Sequence, residues 1–192
     1  MLIDYNMTRD YCSDWTAIDA LREMVQNAID STRTFDCDCD KHEIEVTTHG
    51  VTLTPKMFAM GYSLKSGTSI GGYGEGFKLG MMILTREGLN PVIYTGKYKV
   101  KGEFKVNEVT ETETFCLVFT EQDKQETDTT FLCSPGSLDL EELKRKVTPF
   151  SERPLPEETT VGILYTRPGM IYVNGLFVCE EPKLVHGYNF SP

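Results

Sequence analysis

Hydrophobic and polar positions fall into a helical rhythm early in the chain and into strand-like alternation later. Trp15, Ile18, Leu21, Met24, Val25, Ala28 and Ile29 recur at three- and four-residue spacing, which predicts a helix over Ser13 to Ser31 with Ser13 or Asp14 as its cap. On its opposite face Glu23, Asn27 and Asp30 stand four and three residues apart, stacked over two turns. Such a row of carboxylate, carboxamide and carboxylate can polarise water, ligate a hard cation through oxygen and hydrogen-bond a ligand. Polar residues facing water would also explain the row, because that is the default for an amphipathic helix.

Ile44-Glu45-Val46-Thr47 alternates and predicts a strand, Thr48-His49-Gly50 a turn, and Thr54-Pro55 the cap and start of a short helix through Met60. A small, polar stretch from Gly61 to Ser69 reads as a lid-like connection. It runs into Gly71-Gly72-Tyr73-Gly74-Glu75-Gly76-Phe77-Lys78, and an apolar helix follows, ending near Gly88. A glycine-rich turn entering a helix presents unpaired N–H groups and a partial positive charge, which suit phosphate oxygens, and Lys78 can add a full charge. The plain alternative is a tight connection that lets a helix pack closely. The spacing matches neither the Walker loop nor the dinucleotide fingerprint.

The remainder reads as mostly β: Val92 to Tyr98, Glu103 to Val109, Thr114 to Thr120, Thr130 to Cys133 and Val161 to Tyr165. A short helix over Asp139 to Val147, capped by Ser137, interrupts these strands, and Asn174-Gly175 marks a hairpin tip. The segment from Phe35 to His42 invites a zinc reading, with Cys37, Cys39 and His42, but only His49 offers itself as a fourth ligand. Its alternating aspartates suggest a calcium loop, yet Lys41 and Thr47 stand where that loop requires glycine and glutamate. A polar surface loop is the expectation there.

With 192 residues the chain is expected to form one domain, residues 1–192, and no apolar run suits a membrane span. The N-terminus lacks the pattern of a signal peptide, so a cytoplasmic location and six reduced cysteines are expected. A net charge of −10 opposes sequence-independent binding of nucleic acid and leaves room for a basic protein partner.

Helix row, turn, connection, glycine loop and following strands together resemble the GHKL superfamily of ATP-binding domains, found in gyrase B, ninety-kilodalton heat-shock chaperones, MutL and histidine kinases. LREMVQNAIDS looks like that family's N-box and GGYGEGFKLG like its second glycine box. TTVGILY resembles its late strand, whose threonine approaches the adenine side. The resemblance implies an α+β fold: a two-layer α/β sandwich of the Bergerat type, with a mixed, mostly antiparallel sheet and helices on one face. It implies Mg-ATP binding, with ATP and Mg²⁺ as cofactors. Glu23 would be the general base, Asn27 the Mg²⁺ ligand, and Asp30 a contact to the nucleotide or its bound water. Gly72, Gly74 and Gly76 would meet the phosphates, with Lys65 and Lys78 close by, and Thr160 would lie near adenine.

The family's first glycine box carries an aspartate that accepts a bond from the adenine amino group. Thr48 stands there in this chain and Thr52 replaces the second glycine, while Gly50 is kept. A hydroxyl loses the charge-assisted part of that bond, which opens the question of base specificity. Two function classes result. One is a stand-alone ATP-binding domain with slow hydrolysis to ADP and phosphate as its expected activity. The other is an acidic binding or inhibitory protein on the same scaffold, acting on a partner protein.

Overall fold

The computed structural model describes residues 1–31, 34–60, 75–151, 157–159, 162–165 and 167–190, the side chains of 157–159 excepted. The chain divides into two compact units, Met1–Leu138 and Asp139–Pro192.

In the first unit the strands are β1 (Leu2–Asp4), β2 (Phe35–Cys39), β3 (Ile44–Thr48), β4 (Val92–Thr95), β5 (Tyr98–Val106), β6 (Glu113–Glu121) and β7 (Thr129–Cys133). They form one sheet in the order β1-β6-β5-β4-β7-β3-β2, and every pairing in it is antiparallel. The helices are α1 (Ala17–Ser31) and α2 (Gly76–Arg86), and they pack on β3 and β5 respectively as well as on each other. This is an α+β architecture built as a layer of helices over an antiparallel sheet.

Register explains the layering. Val46 pairs with Phe131, Phe131 with Ile93, Ile93 with Val100, and Val100 with Phe119, so one apolar row crosses five strands on a single face. All five side chains are buried, as are Leu21 and Val25 of α1 and Met81 to Leu84 of α2. Burial of this continuous apolar surface supplies the main stabilisation. The other sheet face carries Lys99, Lys101, Glu103, Glu45 and Asp36, as period-two alternation requires.

Helix α1 starts later than its apolar stripe suggests. Thr16 Oγ1 and N–H both bond to Asp19 Oδ2, at 2.7 and 2.9 Å, and Asp19 N–H returns to Thr16 Oγ1. This reciprocal box fixes the first turn, so Ser13, Asp14 and Trp15 stay outside the helix. The segment before it is held by Arg86, whose guanidinium donates to the carbonyls of Arg9, Tyr11, Cys12 and Trp15. Helix α2 ends as its sequence predicts. Leu89 N–H reaches Leu84 O and Gly88 N–H reaches Thr85 O, the double bond pattern of a glycine-terminated helix.

Phe35 to Cys39 is a strand, where a surface loop was expected. Its period-two pattern puts the two aspartates outward and exposed, while Cys39 is buried opposite Ile44. Burial raises the Cys37 thiol and pushes Cys133 up to about 12. Among the described residues no group of three or more His, Cys, Asp or Glu is arranged to hold a metal ion. No helix among them is long and apolar enough to cross a membrane.

The second unit contains α3 (Leu140–Lys146) and the strands β8 (Glu157–Thr159), β9 (Gly162–Tyr165), β10 (Met170–Val173), β11 (Leu176–Glu180) and β12 (Gly187–Phe190). Their order is β11-β10-β12-β9-β8, with β10 and β12 parallel. Asp139, rather than Ser137, caps α3 by accepting from the Glu141 and Glu142 amides. The hairpin tip at Asn174-Gly175 has positive φ at both residues, as a two-residue turn demands.

Candidate functional site

Glu23, Asn27 and Asp30 share the half-exposed face of α1, while Met24, Val25, Ala28 and Ile29 are buried. The row is therefore presented away from the core. From Glu23 to Asp30 it spans about 10 Å along the helix axis.

The glycine end comes first. Helices α1 and α2 approach so closely that a β-carbon on Gly80 would lie 3.1 Å from the Ala20 carbonyl oxygen. One turn earlier, a β-carbon on Gly76 would lie 2.9 Å from Glu23 Cδ and closer still to Oε2. The Glu23 carboxyl thus rests on the bare backbone of the first residue of α2. Glu75 precedes that residue and gives no side-chain cap. An uncapped helix start holds N–H groups suited to an anion, and the helix dipole favours a carboxylate or phosphate there.

At the centre of the row, Asn27 Nδ2 donates to the Glu23 carbonyl at 2.6 Å. That commits one proton of the amide nitrogen and leaves Oδ1 as the acceptor of the group. A carboxamide oxygen is the donor type a hard divalent cation takes. Further along, Gln26 Nε2 donates to Asp30 Oδ1 at 3.1 Å, which fixes the aspartate's orientation.

The other end of the row is set by chain connectivity. Phe35 lies four residues beyond the end of α1, a reach of at most about 14 Å, and it pairs with Thr48. His49 N–H bonds to Thr34 O at 3.1 Å, closing the same corner. Asp30 therefore lies toward the Thr48 end of the sheet, and Glu23 lies at the α2 end.

The turn after β3 is pinned from several sides. Gly50, at φ +66°, donates its N–H to Asp128 Oδ1 at 2.9 Å. His49 places Nδ1 3.0 Å from Asp128 Oδ2 and Nε2 2.8 Å from Asp36 Oδ2. Two carboxylates on one ring raise the imidazole's proton affinity, while the Gly50 amide and His49 lower that of Asp128. Val51 O accepts from Thr129 Oγ1, and Leu53 N–H donates to Thr95 Oγ1.

Lys78 points elsewhere. Its residue is 1% exposed, and Nζ donates to the Ala59 carbonyl, beside Phe58, whose own carbonyl accepts from Tyr5 Oη. Burial lowers its proton affinity. Lys65, Gly72, Gly74, Thr160 and the lid-like stretch lie outside the described residues. The strands flanking residue 160, β8 and β9, pair in the five-stranded sheet, whereas the strand beside β3 is β7. Sequence reasoning passed over Thr95 and Thr129, which stand in register with Thr48. The run of threonines at 127, 129 and 130 was the available signal.

A separate concavity of about 380 Å³ is lined by Arg9, Asp10, Trp15, Thr16, Arg86 and Glu87 among others. Its guanidinium groups are already engaged, Arg86 by backbone carbonyls and Arg9 by Glu113 and the Phe104 ring. No protein-family model matches the chain, and no curated protein matches it.

Proposed function

We propose that the first unit binds Mg-ATP along the polar face of α1, with slow hydrolysis as the activity. The triphosphate would lie toward Gly76 and the base toward Thr48. The observation that carries this reading is the seating of Glu23 on Gly76. It brings an acid from the early helix against the start of a later one, with a carboxamide four residues along.

Mg²⁺ would be held by Asn27 Oδ1 and would offset phosphate charge. Asn27 is pre-set for that task by its own bond to the Glu23 carbonyl. Glu23 would accept a proton from the attacking water, and packing against Gly76 restricts the positions its carboxyl can take. Positioning and charge stabilisation are what phosphoryl transfer chiefly requires. Asp30, steadied by Gln26, would meet the nucleotide further along the row. Lys78 reaches the phosphates only by leaving Ala59, so it counts here as a structural cation.

The second reading is an acidic protein that binds a basic partner protein. It is favoured by the net charge of −10 and by exposed Asp36 and Asp38 on the outer strand β2. Thermal melting separates the two. Mg-ATP is expected to raise the melting temperature of the parent, and Asn27→Ala is expected to remove most of the shift. No nucleotide-dependent shift in the parent favours the second reading.

A further inference from the structure

The sheet of the first unit has a second face, turned away from α1 and α2, and two rows of side chains cross it in register. One runs Lys101, Val92, Leu132, Glu45, Asp38 over β5, β4, β7, β3 and β2. The other runs Lys99, Tyr94, Thr130, Thr47, Asp36 over the same strands. Lys101, Asp36 and Asp38 are exposed, and Val92, Leu132 and Tyr94 between them are half-buried. An antiparallel sheet often leaves one face in water, so exposure alone assigns no partner. The placing of the charges does.

Signs are sorted by strand rather than mixed. Opposite charges on neighbouring strands stabilise a sheet, and like charges directly opposite one another destabilise it. Here Asp38 pairs directly with Glu45, and Asp36 lies two residues along the same edge strand. The lysines stand four strands away on β5, about 19 Å at the usual strand spacing, which is too far to reach those acids. Among the described residues neither Lys99 nor Lys101 has a carboxylate at ion-pair distance, and Lys99 lies over the Tyr94 ring, 5.2 Å from its centre. Glu103, also on this face of β5, is already held by Lys105 at 3.0 Å. Asp36 gives one oxygen to His49 at 2.8 Å and keeps the other. The face thus carries cations on one side and acids on the other, level with each other and out of reach within one chain.

We infer that this face is the interface of an isologous dimer, and that its occupant is a second copy of the same chain. In the sheet order β7 lies midway between β5 and β2. A two-fold axis parallel to β7, set between two facing sheets, exchanges the strands on either side of it and keeps every side chain at its own level along the strands. Lys101 then faces Asp38 of the second copy, Lys99 faces Asp36, and Leu132 meets its own counterpart on the axis. Each charged contact occurs twice, and the like-charged pair of Asp38 and Glu45 gains a cation. The overlap is about 24 Å across five strands and about 17 Å along them, and hides on the order of 1,000 Å² in total. That is the low end for a specific interface, so the surface supports a weak, reversible dimer rather than an obligate one. Helix α1 packs on the opposite face, so the dimer does not depend on the nucleotide reading.

Sedimentation velocity of the full chain tests this at about 0.15 M salt, where screening over about 8 Å mutes the net charge of −10 but not pairs in contact. The parent is expected to pass from monomer toward dimer as its concentration rises from about 1 to about 500 μM, the range of a weak interface. Lys101→Glu and Asp38→Lys should each weaken self-association by about tenfold or more, because like charges then face one another. An equimolar mixture of the two variants should dimerise like the parent. In the mixed dimer the introduced glutamate meets the introduced lysine, and the remaining native Lys101 and Asp38 meet each other. Loss of folding cannot give that recovery, and both substitutions fall on exposed side chains. A parent that stays monomeric at every concentration overturns the inference. So do single variants that associate like the parent, or a mixture that stays as weak as its components.

Discussion

The Glu23 carboxyl occupies the space that a β-carbon on residue 76 would need, so Gly76 and Glu23 are a matched pair. Gly76→Ala is expected to push the end of the flexible Glu23 side chain off its seat at a cost of up to about 1 kcal/mol. In a Glu23→Ala background the same change should cost much less. A double-mutant cycle in denaturant measures the coupling. Strict additivity would show that the two residues do not share that space.

His49 links β2 to the segment before β7 through two carboxylates, and this link titrates. Its proton affinity is raised above the ordinary 6.5, so its stabilisation is full below pH 6.5 and is lost as pH climbs through the folded value. Asp128 is lowered below 3.8, so its share is present above that value and is lost in acid. The stability gap between parent and His49→Gln should accordingly be larger at pH 5.5 than at pH 8.5. Urea midpoints at the two pH values check this, and an equal gap would remove the latch.

Lys78 is a buried cation on one carbonyl, and its folded proton affinity lies below the ordinary 10.5. The unfolded chain then binds more protons over the window ending near pH 10.5, so stability rises with pH there. Lys78→Met should flatten that rise while keeping the packed stem. Lys78→Ala should cost about 2–5 kcal/mol, because it leaves a cavity beside Phe58. Melting curves from pH 8 to 10.5 distinguish the pair. Equal losses in both variants would assign the stabilisation to the ammonium rather than to the stem.

Thiol accessibility reports on the sheet. Of the six cysteines, Cys179 is exposed, whereas Cys39, Cys116 and Cys133 are buried. Burial holds the thiols of Cys116 and Cys133 above their ordinary range. Brief alkylation of the native protein should label Cys179 first and spare those three until denaturant is added. Mass spectrometry of the peptides gives the order. Early labelling of Cys133 would contradict the pairing of β7 between β3 and β4.

Elements whose determinants are local were readable from the chain. The stripe from Ile18 to Ile29 makes α1, Gly88 ends α2, and Asn174-Gly175 turns a hairpin. What depends on distant partners was not. Asp36 and Asp38 resemble ligands until the register of β2 on β3 shows them to be the outer face of an edge strand. Thr129 becomes a neighbour of Thr48 only because β7 inserts between β3 and β4. Arg86 gives no sign in sequence that it gathers four carbonyls from residues 9–15. The convergence of Glu23 with Gly76 was expected through the family resemblance alone, because no local rule brings α1 against α2.

The most direct test follows the backbone amides of Gly76 and Thr48 by NMR while Mg-ATP is added. The account predicts saturable shifts at both positions, at one end of the α1 row and the other, and their loss in Asn27→Ala. Shifts at neither amide at saturating nucleotide, or shifts confined to residues far from α1, would contradict it.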